Sequence, residues 1–183
     1  MNIWLIIGGI VVLLILFIVG TYNSLVTKRR IVNKAWSDID VQLMRRFDLI
    51  PNLVETIKGI TKHEESVFTQ IAKYRSAYKE AGSVEEKQKI ANDMAKTMIQ
   101  VNAVAENYPE LKANKNFLQL QDELANTENK IAYSRQYYNE SVTMYNMAIE
   151  TIPSNIIASL FNFKEATVFQ ADEKARENVS VKF

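Results

Sequence analysis

The stretch WSDIDVQLMRRFDLIPNLVETIKG, from Trp36 to Gly59, decides the fold because its apolar residues recur at intervals of three and four. At about 100° per residue these positions fall within a sector of about 80°, which indicates the buried stripe of an α-helix. Pro51 crowds the preceding turn, so a kink is expected there, but the stripe keeps its phase. The spacing therefore predicts one helix from about residue 30 to 81. The stripe consists of Val32, Trp36, Ile39, Leu43, Phe47, Ile50, Val54 and Ile57. The spacing by threes and fours continues through Ile60, Val67, Ile71, Tyr74 and Tyr78.

The opposite side of this helix mixes charged, amide and apolar side chains. An ordinary solvated face has little need of apolar residues, so a second packed neighbour is the alternative, either within the chain or from another copy. We predict a partner-binding or self-association surface formed by Val41, Met44, Arg45, Asp48, Leu49, Asn52 and Glu55.

A membrane anchor precedes this helix. The run IWLIIGGIVVLLILFIVG, Ile3 to Gly20, contains 18 uncharged residues and, extended by a few, is long enough to cross a bilayer. A cleaved signal peptide would begin with a basic region and end at small residues, and neither is present. We expect a retained single-pass anchor at residues 1–23.

The charges that flank the anchor predict its orientation. Lys28, Arg29 and Arg30 follow the apolar run, and no basic side chain precedes it. The positive-inside rule then places the N-terminus outside and the rest of the chain in the cytoplasm. Trp4 and Tyr22 stand where interfacial aromatic residues are expected.

The remainder of the chain predicts further helices. Ser83 and Glu86 form a capping-box pattern that opens a helix to about residue 107. After Pro109, Asn114 or Asn116 can cap a helix of about residues 117–152, and a short helix begins near Asn155. The fold class is therefore all-α, with a transmembrane helix followed by an elongated antiparallel, coiled-coil-like bundle of three long helices and a short C-terminal one. We assign the bundle to residues 24–163 and a tail, packed on the bundle or trailing from it, to residues 164–183.

Two groups of side chains in the second half have alternative interpretations. Glu128, Arg135, Asn139 and Asn146 border the apolar stripe of the third long helix and are predicted to form interhelical polar pairs. The alternative is that some of them recognise a partner or another copy of the chain. An apolar cluster near the C-terminus is predicted to cover a core rather than to enter a membrane, because only Lys164 is near it and interfacial helices carry flanking lysines. This cluster contains Ile156, Ile157, Leu160, Phe161, Phe163 and Phe169.

The composition argues against catalysis. The chain has 22 Lys and Arg against 21 Asp and Glu, which gives no basic excess for nucleic acid, and it has no cysteine. A di-iron bundle requires two Glu-x-x-His motifs, but the chain has a single histidine, His63, with Ile60 three residues before it. Neither a Gly-x-Ser-x-Gly nucleophile turn nor a Gly-rich phosphate loop occurs. We predict no enzymatic activity, no metal and no cofactor.

Several motifs together resemble the LemA family. They include AWS at Ala35, DVQLMRRFDLIPNLVETIKG at Asp40, AVAENYP at Ala103 and LQDELANTENKIAYSRQYYNESV at Leu120. The resemblance covers nearly the whole chain and implies a small membrane-anchored protein with a helical cytoplasmic domain, in a family without an agreed biochemical activity.

The functional hypothesis is a membrane-anchored, non-enzymatic scaffold that binds the lipid bilayer through its anchor. It self-associates as a homo-oligomer, binds other membrane or cytoplasmic proteins, or does both. The alternative is a signalling adaptor that transmits to a partner protein through a kinked helical rod.

Overall fold

The structure is a computed structural model that describes residues 3–58, 65–106 and 108–169. These residues contain six helices and no strand, which confirms the all-α prediction. The helices are α1 (Ile3–Lys58), α2 (Glu65–Glu80), α3 (Val84–Glu106), α4 (Pro109–Lys112), α5 (Lys115–Glu150) and α6 (Ser154–Leu160).

The apolar stripe of α1 is buried as its spacing predicts. Ile39, Leu43 and Ile50 are 0% exposed, whereas Trp36 is only half-buried. Ala35 and Leu53 are also buried, although they lie about 40° beyond the predicted edge of the stripe. The buried sector is therefore wider than one stripe, as expected for a helix with more than one neighbour.

Pro51 lies inside α1, and the helix continues beyond it to Lys58. The missing backbone donor of Pro51 therefore does not end the helix. The stripe on both sides of Pro51 is buried, with Ile50 at 0% and Val54 at 7% exposure, and this packing stabilises the helix through the proline.

The prediction of one helix from residue 30 to 81 is wrong. Arg75 donates a hydrogen bond to Asp48 at 2.8 Å, and Tyr78 donates one to Asp40 at 2.7 Å. In one continuous helix, 27 residues would separate Asp48 from Arg75 by about 40 Å. The chain therefore reverses between α1 and α2, and α2 packs back against α1. Residues 59–64, which join α1 to α2 in the sequence and include Ile60 and His63, lie outside the described residues.

Local capping signals position the start of α3 and of α5 as predicted. Ser83 Oγ accepts from the Glu86 amide at 3.1 Å, and the Glu86 carboxylate accepts from the Gly82 and Ser83 amides, which completes the capping box of α3. Asn114 Oδ1 accepts from the amides of Asn116 and Phe117 at the start of α5.

The chain forms two compact units, and each contains part of α1 and part of α5. The first unit comprises residues 1–38 and 134–168, and its packed residues include Leu25, Val142 and Tyr145. The second comprises residues 39–133 and 169–183, and its core lies among α1, α2, α3 and α5 around Leu43, Phe47 and Met94.

One helix among the described residues, α1, is long and apolar enough to cross a membrane. Its most apolar window, with a mean hydropathy of 3.1, has no residue buried within the structure. Side chains such as Leu5, at 73% exposure, and Leu13, at 67%, favour an apolar environment that the described residues do not provide.

Candidate interaction surface on the helical bundle

Two adjacent arginines of α1 form ion pairs with two glutamates of α5. Arg45 Nη2 lies 3.0 Å from Glu123 Oε2, and Arg46 Nη1 lies 3.2 Å from Glu128 Oε2. The side chains of Arg45 and Glu123 are 49% and 41% exposed, but that of Arg46 is only 6% exposed. Successive helical residues point about 100° apart, so Arg45 faces solvent while Arg46 is held among the packed helices.

The buried guanidinium of Arg46 is incompletely satisfied. Burial lowers the pKa of Arg46, and the negative charge of Glu128 partly offsets this by raising it. Arg46 Nη1 has no hydrogen-bond acceptor among the described residues, although Glu128 is close enough for an ion pair. The contact between Arg46 and Glu128 is therefore a Coulombic pair without a directional hydrogen bond.

Two open grooves in the second unit flank this line of ion pairs. We call the first, of about 600 Å³, the α3–α5 groove, and the second, of about 550 Å³, the α1–α5 groove. The α3–α5 groove is lined by Arg46, Ala95, Met98, Ile99, Gln121, Asp122, Leu124, Ala125 and Glu128. The α1–α5 groove is lined by Leu49, Asn52, Glu55, Thr56, Asn116, Gln119, Leu120 and Glu123.

The structure divides the predicted interaction residues of α1 into two sets. Arg45 and Asp48 have partners within the chain, Glu123 and Arg75. The others are exposed or half-buried: Val41 is 59% exposed, Met44 is half-buried, and Leu49, Asn52 and Glu55 line the α1–α5 groove.

A polar cluster that the sequence pattern does not indicate joins α1, α2 and α3. Asp40 Oδ1 accepts from the Tyr78 hydroxyl at 2.7 Å and from Lys87 Nζ at 2.9 Å. Lys87 also lies 5.1 Å from the centre of the Tyr78 ring. Burial raises the pKa of Tyr78, and the hydrogen bond to Asp40 and the charge of Asp40 raise it further, so the phenol stays protonated as a donor. These residues are distant in sequence, and only the reversal into α2 brings them together.

The predicted polar residues of α5 have different surroundings. Glu128 pairs with Arg46, while Arg135 and Asn139 are half-buried and each has a contact. Asn146 makes two hydrogen bonds of 2.9 Å with the backbone of Ala166, as donor to its carbonyl and acceptor from its amide. Asn146 therefore fixes the segment after α6 to α5 rather than joining two helices.

Two tyrosines of α5 hold the same segment. The hydroxyl of Tyr138 donates to the carbonyl of Thr167, and the hydroxyl of Tyr145 donates to that of Lys164, each at 2.8 Å. Burial raises the pKa of Tyr145, although the charge of Arg29 acts in the opposite direction. The predicted tail therefore begins as a segment packed along α5, and residues 170–183 lie outside the described residues.

The predicted membrane-interface residues lie on the part of α1 in the first unit. Trp4 is 79% exposed, and Arg30 is exposed while Lys28 is half-buried. The Tyr22 ring packs against Phe161 and Phe163, and the Arg29 guanidinium lies 5.0 Å from the centre of the Phe163 ring.

The prediction that the C-terminal apolar cluster covers a core is correct for only half of its members. Ile157, Phe163 and Phe169 are buried at 5%, 9% and 4% exposure. The prediction is wrong for the other three, because Ile156, Leu160 and Phe161 are 64%, 71% and 47% exposed. The short helix α6 has an apolar outer face as well as an apolar inner one, and periodicity alone does not distinguish these.

No group of three or more His, Asp or Glu side chains within the described ranges is arranged to hold a metal ion. His63, the histidine considered for catalysis, lies outside these ranges.

The fold and these surfaces define a class of helical protein that combines one membrane-type helix with a packed helical domain. The LemA family model matches residues 35–183, and the chain belongs to the LemA family. This finding confirms the resemblance seen in the sequence motifs.

Relatives with curated names carry two kinds of description. Protein LemA of Metamycoplasma hominis is 28% identical over 166 aligned positions, covering 88% of this chain and 74% of that protein. Magnetosome protein MamQ 2 of Paramagnetospirillum magneticum is 27% identical, and magnetosome protein MamQ of Magnetospirillum gryphiswaldense is 25% identical. Each match covers 81% of this chain but only 64% of the magnetosome protein. None of these names describes an enzymatic reaction.

Proposed function

We propose that this protein is a membrane-anchored, non-enzymatic scaffold whose helical domain self-associates through the α1–α5 groove. Its N-terminus lies outside the cell membrane and its helical domain in the cytoplasm. The observation that carries the proposal is the position of Leu49, Asn52 and Glu55 on one wall of that groove, which polar and apolar side chains of α5 complete.

The chemistry of the groove suits a protein segment better than a small molecule. Leu49 and Leu120 are half-buried, and exposed or half-buried amides and carboxylates surround them. An apolar centre with a polar rim is the usual composition of a protein–protein contact. A groove that is open to solvent encloses little of a small ligand, whose sites bury most of its surface.

The anchor strengthens weak contacts of this kind. Copies tethered to one membrane meet at a raised local concentration, so a contact that is weak in solution becomes populated on the bilayer. The MamQ relatives are named magnetosome proteins, and a scaffold role for this chain is compatible with that description.

Cysteine cross-linking tests the proposal cleanly because the chain contains no cysteine. We suggest reconstituting purified full-length Asn52→Cys in vesicles and treating it with a short bifunctional thiol reagent. Asn129→Cys is the matched control, because Asn129 is an exposed asparagine of the same unit that lines neither groove.

We expect Asn52→Cys to form cross-linked dimers in excess of Asn129→Cys, and Leu49→Arg in the same chain to abolish the excess. Equal cross-linking of the two variants would indicate random collision, and no cross-linking of either would indicate separate copies. Either result would contradict the role of the groove.

The continuity of α1 favours a second candidate, a signalling adaptor. One helix contains the apolar segment, Pro51 and the groove residues on both sides of Pro51, so a change at the anchor could be transmitted along it. Proximity labelling in cells should then give a different set of partners for Pro51→Ala than for the wild type. An unchanged set would exclude a hinge at Pro51.

A further inference from the structure

We propose that α6 and the residue that follows it form a lipid-binding wedge that enters the membrane interface beside the anchor. This inference rests on the anchoring part of the proposed function but not on self-association. All residues involved belong to the first compact unit.

The outer face of α6 is apolar, and the described residues leave it exposed. Ile156 and Leu160 are spaced by four and therefore lie on one side of the helix, at 64% and 71% exposure. Ile152, in the preceding turn, is 78% exposed. The inner face is filled by Ile157 and Ala158, which are 5% and 2% exposed. Water is an unfavourable neighbour for so much apolar surface in seven residues, and such patches mark interaction sites.

The contact between α6 and the anchor determines which partner is available. Phe161, directly after α6, lies 4.8 Å from Tyr22 between ring centres. Tyr22 follows the apolar run by two residues, which places it at headgroup level if that run spans the bilayer. The whole of α6 is about 10 Å long, so its outer face lies within about 10 Å of this level. Interfacial helices enter the bilayer to a similar depth, about 5–10 Å.

The end of α6 is built so that its aromatic neighbours face the anchor. The Phe163 amide donates to the Ala158 carbonyl at 2.9 Å and the Asn162 amide to that of Ser159 at 3.2 Å. This pair of hydrogen bonds ends a helix when the residue that donates the second one is in the left-handed conformation. Asn162 occupies that position with a φ of 55°, which asparagine tolerates. The turn fixes Phe161 and Phe163 on either side of it against Tyr22.

The charge near α6 suits anionic lipid. The sequence around α6 contains one nearby lysine, Lys164, and this argued against a membrane wedge. The fold supplies the missing cation from α1, since Arg29 lies over the Phe163 ring, and Lys28 and Arg30 are its neighbours. Basic side chains next to an apolar insertion are attracted to acidic headgroups.

Single cysteines can report the surroundings of this face. We suggest labelling Leu160→Cys and Ile156→Cys of the full-length chain with an environment-sensitive fluorophore in vesicles of phosphatidylcholine and phosphatidylglycerol. Val12→Cys marks the anchor, and Tyr137→Cys is an exposed control on α5 of the same unit. Far-UV circular dichroism checks that each variant is folded.

We expect blue-shifted emission at positions 12, 156 and 160, with an aqueous spectrum at 137. A nitroxide near the lipid headgroup should quench position 160 more than one deep in the acyl chains, and the order should reverse at position 12. An aqueous spectrum at 160 together with an apolar one at 12 would overturn the wedge and leave the anchor intact. An aqueous spectrum at 12 would refute the anchor itself. Blue-shifted emission at position 160 that is not quenched by either nitroxide in the lipid would indicate contact with protein and would also overturn the wedge.

Discussion

The two ion pairs between α1 and α5 permit a matched test of how burial controls the strength of a charge pair. Glu128→Gln and Glu123→Gln each remove one negative charge opposite an arginine at 3.2 Å and 3.0 Å. The two arginines are adjacent in sequence and differ in burial, because the side chain of Arg46 is 6% exposed and that of Arg45 is 49% exposed. The comparison therefore isolates the effect of a desolvated guanidinium.

The expected magnitude follows from the distance and the exposure. Two unit charges 3.2 Å apart interact by about 5 kcal/mol at an effective dielectric constant of about 20. The Glu128 side chain is 49% exposed, so water screens the pair well below this value and below the ~3–5 kcal/mol of a fully buried pair. We expect Glu128→Gln to lower the free energy of unfolding by about 1.5–2.5 kcal/mol, because the glutamine dipole does not replace a Coulombic contact. Glu123→Gln should cost about 0–1 kcal/mol, as for exposed pairs.

Replacing Arg46 tests the same ion pair from its positively charged side. Arg46→Met removes the buried charge and keeps an apolar stem of similar length, so the unfolding free energy should change by at most about 1 kcal/mol. Equilibrium urea unfolding of the full-length chain in detergent, followed by far-UV circular dichroism, measures all three variants. Equal losses for Glu128→Gln and Glu123→Gln would refute the reasoning, as would a larger loss for Arg46→Met than for Glu128→Gln.

Three further comparisons test other parts of the fold. Tyr78→Phe should lower the free energy of unfolding by about 1 kcal/mol through loss of the hydrogen bond to Asp40. Because the pKa of Tyr78 is raised in the folded chain, the wild type should also lose stability as the pH rises above 10.0, and Tyr78→Phe should lose less in the same urea titrations. Asn114→Ala should cost about 1 kcal/mol by uncapping α5, and an equal cost for Asn116→Ala would contradict the assigned cap. Leu43→Ala should cost about 2–5 kcal/mol because Leu43 is 0% exposed, whereas Val41→Ala should change stability by less than about 0.5 kcal/mol; similar losses would refute the assigned core.

Periodicity predicted the parts of the fold that depend on one helix at a time. The burial of Leu43 and Ile50 follows from spacing alone, and the caps at Ser83 and Asn114 follow from local hydrogen bonding. Spacing also indicates that Arg46 is near the buried face of α1. It lies about 20° beyond the edge of the apolar stripe, whereas Arg45 lies on the other side of the helix.

Features that depend on two helices were not predictable in this way. The stripes of α1 and α2 face each other and share one period, so the reversal between them leaves the pattern unbroken. The pairing of Asp40 with Tyr78 follows only from that reversal. The cation over the Phe163 ring is Arg29, which is more than a hundred residues away in sequence, so the residues flanking α6 did not indicate it.

The central claim, that anchored copies associate through the helical domain, is tested most directly by the mass of the intact protein. Light scattering of the full-length chain at micromolar concentration in a mild detergent, corrected for bound detergent, should give at least two chains per particle. Leu49→Arg should reduce this to one. A wild-type mass of a single chain at every concentration would contradict the account.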